Sequence, residues 1–244
     1  MASKSAVGHA TNVTNFQELL EFVIGYGADY DPSKPSLTLA ALTTLLADAD
    51  AKVLAVTTAT AAFDLKVNER IIAFSELGTY ATRIINALQA TEASDETIKD
   101  AKTINRKIQG KRAPDHAAPL APDAPVPATI SSKQQSYDQM IQHFTALVEL
   151  LKLEPSYTPT KVDLQITSIA SKITELTSRD IAVATAHTTA SNARIARNHT
   201  LYAKETGLYH IAADIKKYVK SVYGASSPQY NQIKGIKFTK RMNK

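Results

Sequence analysis

Apolar residues recur along the chain at helical spacing. Phe16, Leu19, Leu20, Val23 and Ile24 share one helix face, and Tyr137, Ile141, Phe144, Leu147 and Val148 share another. A longer pattern lies between them. Leu42, Leu46, Ala49, Val53, Val56, Thr60, Phe63, Val67, Arg70 and Phe74 are spaced alternately by four and three residues. That is a heptad seam sustained for more than four heptads. It predicts a helix from about Ser36 to Ser75, roughly 60 Å long at 1.5 Å per residue. No single short helix covers such a rod. The first helix is expected to cover one part, and two helices after Gly78 the rest.

Start and stop signals bracket these stretches. Asn15 with Glu18 reads as a capping box, as does Ser136 with Gln139. Ser94 precedes Asp95 and Glu96, and Ser227 precedes Pro228, both common openings of a helix. A third helix is expected over Thr79–Ala90 and its counterpart over Leu208–Tyr223. Gly78 and Gly207 read as left-handed C-terminal caps that let the chain reverse.

The elements occur twice. "YDPSKPSL" from Tyr30 returns about 127 positions later as "YTPTKVDL" from Tyr157. At that offset Leu37, Val56, Thr58 and Arg70 meet Leu164, Val183, Thr185 and Arg197. "ASDETIKDAKTI" from Ala93 likewise parallels "ASSPQYNQIKGI" from Ala225. The fold expected is all-α: a tandem duplication of an elongated four-helix unit built around one long helix of about 40 residues. The copies are 1–110 and 133–244. Between them, 111–132 is a linker rich in Pro and Ala, whose prolines disfavour helix.

The second seam is less apolar. It passes through Ile169, Ile173, Leu176, Asp180, Val183, His187, Ala190, Arg194, Arg197 and Leu201. Two readings fit. Either the stripe rotates, with Ile181, Ala184, Thr188 and Ile195 taking over, or a polar layer fixes the register or meets a partner.

Composition narrows the chemistry. The chain has 244 residues, is 44% hydrophobic and contains 8 glycines, which favours helix. It has no Cys, so disulfides, thiolate nucleophiles and Cys-held zinc are out. No Walker-type loop, GxGxxG, GxSxG or HExxH is present. His9, His116, His143, His187, His199 and His210 form no i,i+4 pair. The expectation is no enzyme, cofactor, metal or small-molecule substrate. No apolar run approaches the ~18 residues of a membrane span, and no secretory signal is visible. A cytoplasmic location without membrane contact is expected.

Charge separates the two copies. Through Gly110 there are 10 Lys and Arg against 13 Asp and Glu, and from Lys133 onward 16 against 8. Much of the excess is late, in Lys216, Lys217, Lys220, Lys234, Lys237, Lys240, Arg241 and Lys244, a candidate basic interaction patch. An acidic copy and a basic copy point to contact between molecules, or to an acidic polymer such as nucleic acid.

The segments "NVTNFQELLEFVIGYGADYDPSKPSL" and "GASSPQYNQIKGIKFTKR" resemble a group of uncharacterised bacterial all-helical proteins with a duplicated long-helix bundle. The resemblance implies a bacterial, non-enzymatic helical protein and carries no site residues. The function expected is a structural or scaffolding protein. It self-assembles into an oligomer or polymer through acidic-to-basic copy contacts. The alternative is nucleic-acid binding by the basic second copy and C-terminal tail.

Overall fold

Three serines open helices as their spacing predicts. In the computed structural model, which describes residues 8–111 and 136–240, Ser94 Oγ accepts from Thr97 N at 3.1 Å, Ser136 Oγ from Gln139 N at 3.3 Å, and Ser227 Oγ from Tyr230 N at 3.1 Å. Each satisfies an amide that a helix start leaves without an intrahelical partner. The helices are α1 (His9–Gly25), α2 (Leu39–Ser75), α3 (Leu77–Gln89), α4 (Asp95–Ile108), α5 (Tyr137–Lys152), α6 (Ile166–Tyr202), α7 (Leu208–Tyr223) and α8 (Pro228–Lys234). No strand occurs among the described residues. Only Glu76 separates α2 from α3, and the two run together as one bent helix of 51 residues.

The recurring Tyr turn has one geometry at both places. Tyr30 donates its hydroxyl to the Leu37 carbonyl at 2.9 Å, and Tyr157 to the Leu164 carbonyl at 2.9 Å. Both rings are buried. Each bond spans seven residues and closes over a short 3-10 turn, Pro35–Leu37 or Val162–Leu164. Each turn leads into a helix of 37 residues. The Tyr, the turn and the Leu are thus parts of one staple that aims the chain into a long helix.

Two expectations about local structure are corrected. α1 begins at His9 with Gly8 as its cap, so Asn15 lies inside the helix and not at its start. The Asn15 side chain instead donates to the Lys237 carbonyl at 2.7 Å. Neither Gly78 nor Gly207 is a left-handed cap. Gly78 sits inside α3, and Gly207 caps the start of α7 with φ −72°. The left-handed residue after α6 is Glu205, with φ 69°. Gly207 is required for space: a Cβ there would stand 2.5 Å from Ala203 N and 2.8 Å from Ala203 O.

The helices sort into two compact units, residues 1–63 with 186–244, and residues 64–185. The first unit joins α1 and the start of α2 to the end of α6, α7 and α8. The second joins the end of α2, α3 and α4 to α5 and the start of α6. This departs from the division into 1–110 and 133–244. The physical reason is length. α1 has 17 residues against 37 in α2, so it covers only the start of the long helix. In the first unit α6 runs antiparallel to α2, as the pairs Asp48–Thr200, Thr60–Arg194 and Phe63–His187 show. The start of α2 therefore lies beside the end of α6, and α7 and α8 supply the remaining cover. In the second unit α5 packs against α4, and α3 against α4.

Each unit has its own core. In the first, Phe16 and Leu19 of α1 pack with Leu42, Leu201, Leu208 and Ile215. In the second, Leu77, Ile84 and Leu88 of α3 pack with Phe144 and Leu147 of α5 and Leu176 of α6. These side chains are essentially solvent-free, and each contributes roughly 1.5–3 kcal/mol of apolar burial.

Candidate interaction surface

The polar positions of the second seam face the partner helix. In the second unit Arg70 Nη1 meets Asp180 Oδ1 at 2.6 Å, and Arg179 Nη1 meets Glu69 Oε2 at 2.7 Å. The order is reversed between the helices: acid then base on α2, base then acid on α6. Arg70 also lies over the Tyr137 ring, 4.0 Å from its centroid. Lys66 and Arg179 hold the Glu69 carboxyl below its ordinary range, the Lys66 hydrogen bond acting most. In the first unit His187 rests against Phe63 with ring centroids 5.5 Å apart. Rotation of the stripe is overturned, because Ile181 is 60% exposed and Ile195 65%.

Those residues belong to an outward side of the long helices. In the first unit Ala47, Ala51, Leu54, Thr58 and Ala61 follow heptad spacing on α2, offset from the seam, and all five are exposed. Leu54, the one large side chain among them, is 66% exposed. No Asp, Glu, Lys or Arg occurs from Val53 to Phe63, nor from Ala186 to Ala193 on α6. In the second unit Leu65, Ile72 and Ile181 are exposed. Single exposed aliphatics are ordinary on a protein surface; here several share the outward side of the long helices.

The basic residues are only partly gathered. All of the described ones lie in the first unit. Lys216 is half-buried, donates to the carbonyls of Ile236 and Lys234, and sits 5.5 Å from the Phe238 ring. Burial pulls its pKa down. It thus holds the C-terminal segment in place and is not an open cation. Lys220 stands over the Tyr230 ring at 5.8 Å, near the same corner. Lys217 turns away to Asp214 at 3.1 Å, an acid also held by Lys34 at 2.7 Å. These partners keep the Asp214 carboxyl below its usual range, the Lys34 hydrogen bond first. Lys234, Lys237 and Lys240 are exposed, and Arg241 and Lys244 lie outside the described residues.

Beside that corner the C-terminal segment is clasped by α1. Asn12, 2% exposed, donates to the Thr239 carbonyl at 2.8 Å and accepts from the Thr239 amide at 3.0 Å. It also donates to the Tyr202 hydroxyl at 3.2 Å. Sequence reasoning missed Asn12, because its partners are more than 180 residues away and leave no local spacing.

The chain matches no protein-family model, no curated protein and no solved structure.

A groove of about 710 Å³ in the second unit is lined by Tyr80, Arg83, Asp163, Lys172 and Glu175 among others. Four of its charges pair with each other, Arg83 with Asp163 and Lys172 with Glu175. Among the described residues no group of three or more His, Asp or Glu is placed to hold a metal ion. His143 is half-buried on α5 with its Nε2 out of contact with solvent, and burial, reinforced by Lys107, pulls its pKa down. His116 lies outside the described residues, as does nearly all of the linker. No helix among the described residues is long and apolar enough to cross a membrane.

Proposed function

We propose that this is a non-enzymatic structural or scaffolding protein that associates with copies of itself. The observation that carries the reading is the set of uncovered aliphatics on the long helices, Leu54 and Ile195 in the first unit and Leu65, Ile72 and Ile181 in the second. An uncharged stretch has nothing to repel an identical stretch on another molecule. Surface ion pairs contribute only about 0–1 kcal/mol each, so an apolar centre has to supply the affinity while charge sets orientation. The two halves are read as copies of one helical module. The matching Tyr staples and the equal 37-residue helices support that reading. The test is molar mass against concentration for the native chain, for Leu54→Glu with Ile195→Glu, and for Leu65→Glu with Ile72→Glu. The native chain should grow in mass with concentration. One of the two pairs should abolish growth without moving the unfolding curve, since these side chains support no core. A native chain that stays monomeric, or two variant pairs that associate as it does, refutes the proposal.

A second reading, nucleic-acid binding, draws on Lys220, Lys234, Lys237 and Lys240, which are exposed in one unit. Binding would fall steeply with salt as counterions are released. Changing Lys220, Lys234 and Lys237 to Glu should then abolish it. No retention of the native chain by single- or double-stranded oligonucleotides at low salt dismisses this reading.

A further inference from the structure

Residues 236–240 leave α8 as a segment that is neither helix nor strand. Its side chains nevertheless alternate as a strand's do. Ile236 is buried and Phe238 packs on the core of the first unit, while Lys237 and Lys240 are exposed. Its main chain alternates too. Thr239 turns both its amide and its carbonyl to Asn12, at 3.0 and 2.8 Å, and Lys237, two residues earlier, turns its carbonyl to Asn15, at 2.7 Å. The Ile236 carbonyl, of the opposite parity, accepts instead from Lys216 of α7. We infer that these residues are a ligand on a built site: α1, with Lys216, forms a site for an extended peptide, read through its main chain, and the chain fills it with its own segment. The inference is independent of the self-association proposed above.

Three features argue for it. First, the amide of Asn12 holds the N–H and the C=O of one residue, as a neighbouring strand does in a ladder. Asn12 and Asn15 are one turn apart on the same helix face and meet residues 239 and 237, so α1 and the segment run antiparallel. Sites that bind extended peptides work in this way, with affinity from the main chain and specificity from pockets for alternate side chains. Second, Asn12 is 2% exposed, and the Tyr202 hydroxyl, which accepts from it at 3.2 Å, fixes the direction of its amide. A buried amide is costly unless bonded, and a loose end could be tied by a single carbonyl contact. A two-way pairing is the arrangement that reads a backbone. Third, the segment is separable. Among the described residues the backbone of 237–240 makes no bond to another backbone group, so it can leave with every helix bond intact. The ligand class follows from the occupant: an extended segment with an aliphatic residue, an aromatic residue two positions on, and next to it a residue with a free amide. Proline is excluded at that last position because it has no amide to give.

A competition experiment on full-length chains tests this. Thr239→Pro removes the amide from the chain's own segment and touches no helix. A labelled peptide of sequence GIKFTKRMNK should bind this variant one to one. The native chain's tethered segment competes at an effective concentration on the order of millimolar, so the variant should bind the peptide about tenfold tighter or more. Binding should vanish when Asn12→Ala is added, and when the peptide carries proline in place of its threonine. A Thr239→Pro chain that binds no better than the native one, or binding indifferent to Asn12→Ala and to the proline peptide, overturns the inference. The native chain supplies a second reading. Its Thr239 amide should exchange with solvent through local opening, about tenfold or more faster than the core amides of α1. Exchange of Thr239 only at the rate of α1 would show that the segment is a fixed part of the fold, and would equally overturn it.

Discussion

Gly78 lies in the first turn of α3 and Gly207 caps the start of α7, and the structure predicts opposite outcomes for the same substitution. At Gly207 an added Cβ meets three backbone atoms, Ala203 N at 2.5 Å, Ala203 O at 2.8 Å and Tyr202 C at 2.9 Å. Backbone cannot rotate aside as a side chain can, so the end of α6 and the start of α7 have to separate. The φ of −72° suits alanine, and the whole cost is steric. Overpacking costs typically 1–3 kcal/mol, and three backbone clashes place Gly207→Ala at about 3 kcal/mol or above. At Gly78 the added Cβ meets only the Gln109 side chain, at 3.6 Å, which is ordinary contact. Gly78 lies within α3, where alanine is better than glycine by about 0.8–1.0 kcal/mol. Gly78→Ala should therefore stabilise by somewhat under 1 kcal/mol. Urea unfolding followed by helical circular dichroism, with the slope checked for constancy, reads both. Destabilisation of both variants by similar amounts would show that the two glycines share one role and refute the steric account.

Tyr30→Phe and Tyr157→Phe each remove a hydroxyl that satisfies a carbonyl, so each should cost about 1–3 kcal/mol in its own unit by chemical unfolding. Burial, with Tyr80 and Asp163 nearby, pushes the Tyr157 hydroxyl up to about 12. The unfolded chain releases that proton first, near pH 10. The contribution of Tyr157 is therefore complete below pH 10 and lost as pH rises toward 12, which an alkaline series of unfolding curves should show. Arg70→Met breaks a pair whose side chains are 20% and 24% exposed. Discounted for that partial exposure, the cost should be about 2 kcal/mol, and a double-mutant cycle with Asp180→Asn should recover much of it as coupling. Asn12→Ala should release the C-terminal segment, raising amide exchange at Thr239 by tenfold or more while α2 stays protected.

Much of the secondary structure was legible because its causes are local. The heptad spacing placed the start of the first long helix, expected at about Ser36, within three residues of Leu39. Ser94, Ser136 and Ser227 cap with groups three residues away, and the Tyr staple closes over seven. What the spacing missed depended on distant partners. Asn15 offered a local cap, but the Lys237 carbonyl, 222 positions away, claimed it. Gly207 gave the composition of a turn without revealing that the need was clearance from Ala203. Periodicity shows which face of a helix is buried and is silent on which helix buries it, so the split of each half between two units had no signature. The second seam was the closest case. Asp180, His187 and Arg194 marked polar seam positions, and their pairing with Arg70, Phe63 and Thr60 follows only once α2 and α6 are antiparallel. Of the basic residues, charge counting found the excess but could not tell Lys216, spent on carbonyls, from Lys237, which is open to solvent.

Self-association is tested most directly by the mass of the full-length chain in solution, followed by sedimentation equilibrium from sub-micromolar to several hundred micromolar. The account predicts a mass that rises above the 26.4 kDa of one chain toward defined multiples of it. In high salt the rise should be weaker but still present, because apolar contact supplies the affinity and charge the orientation. A constant mass of one chain across that range, at low and at high salt, contradicts it.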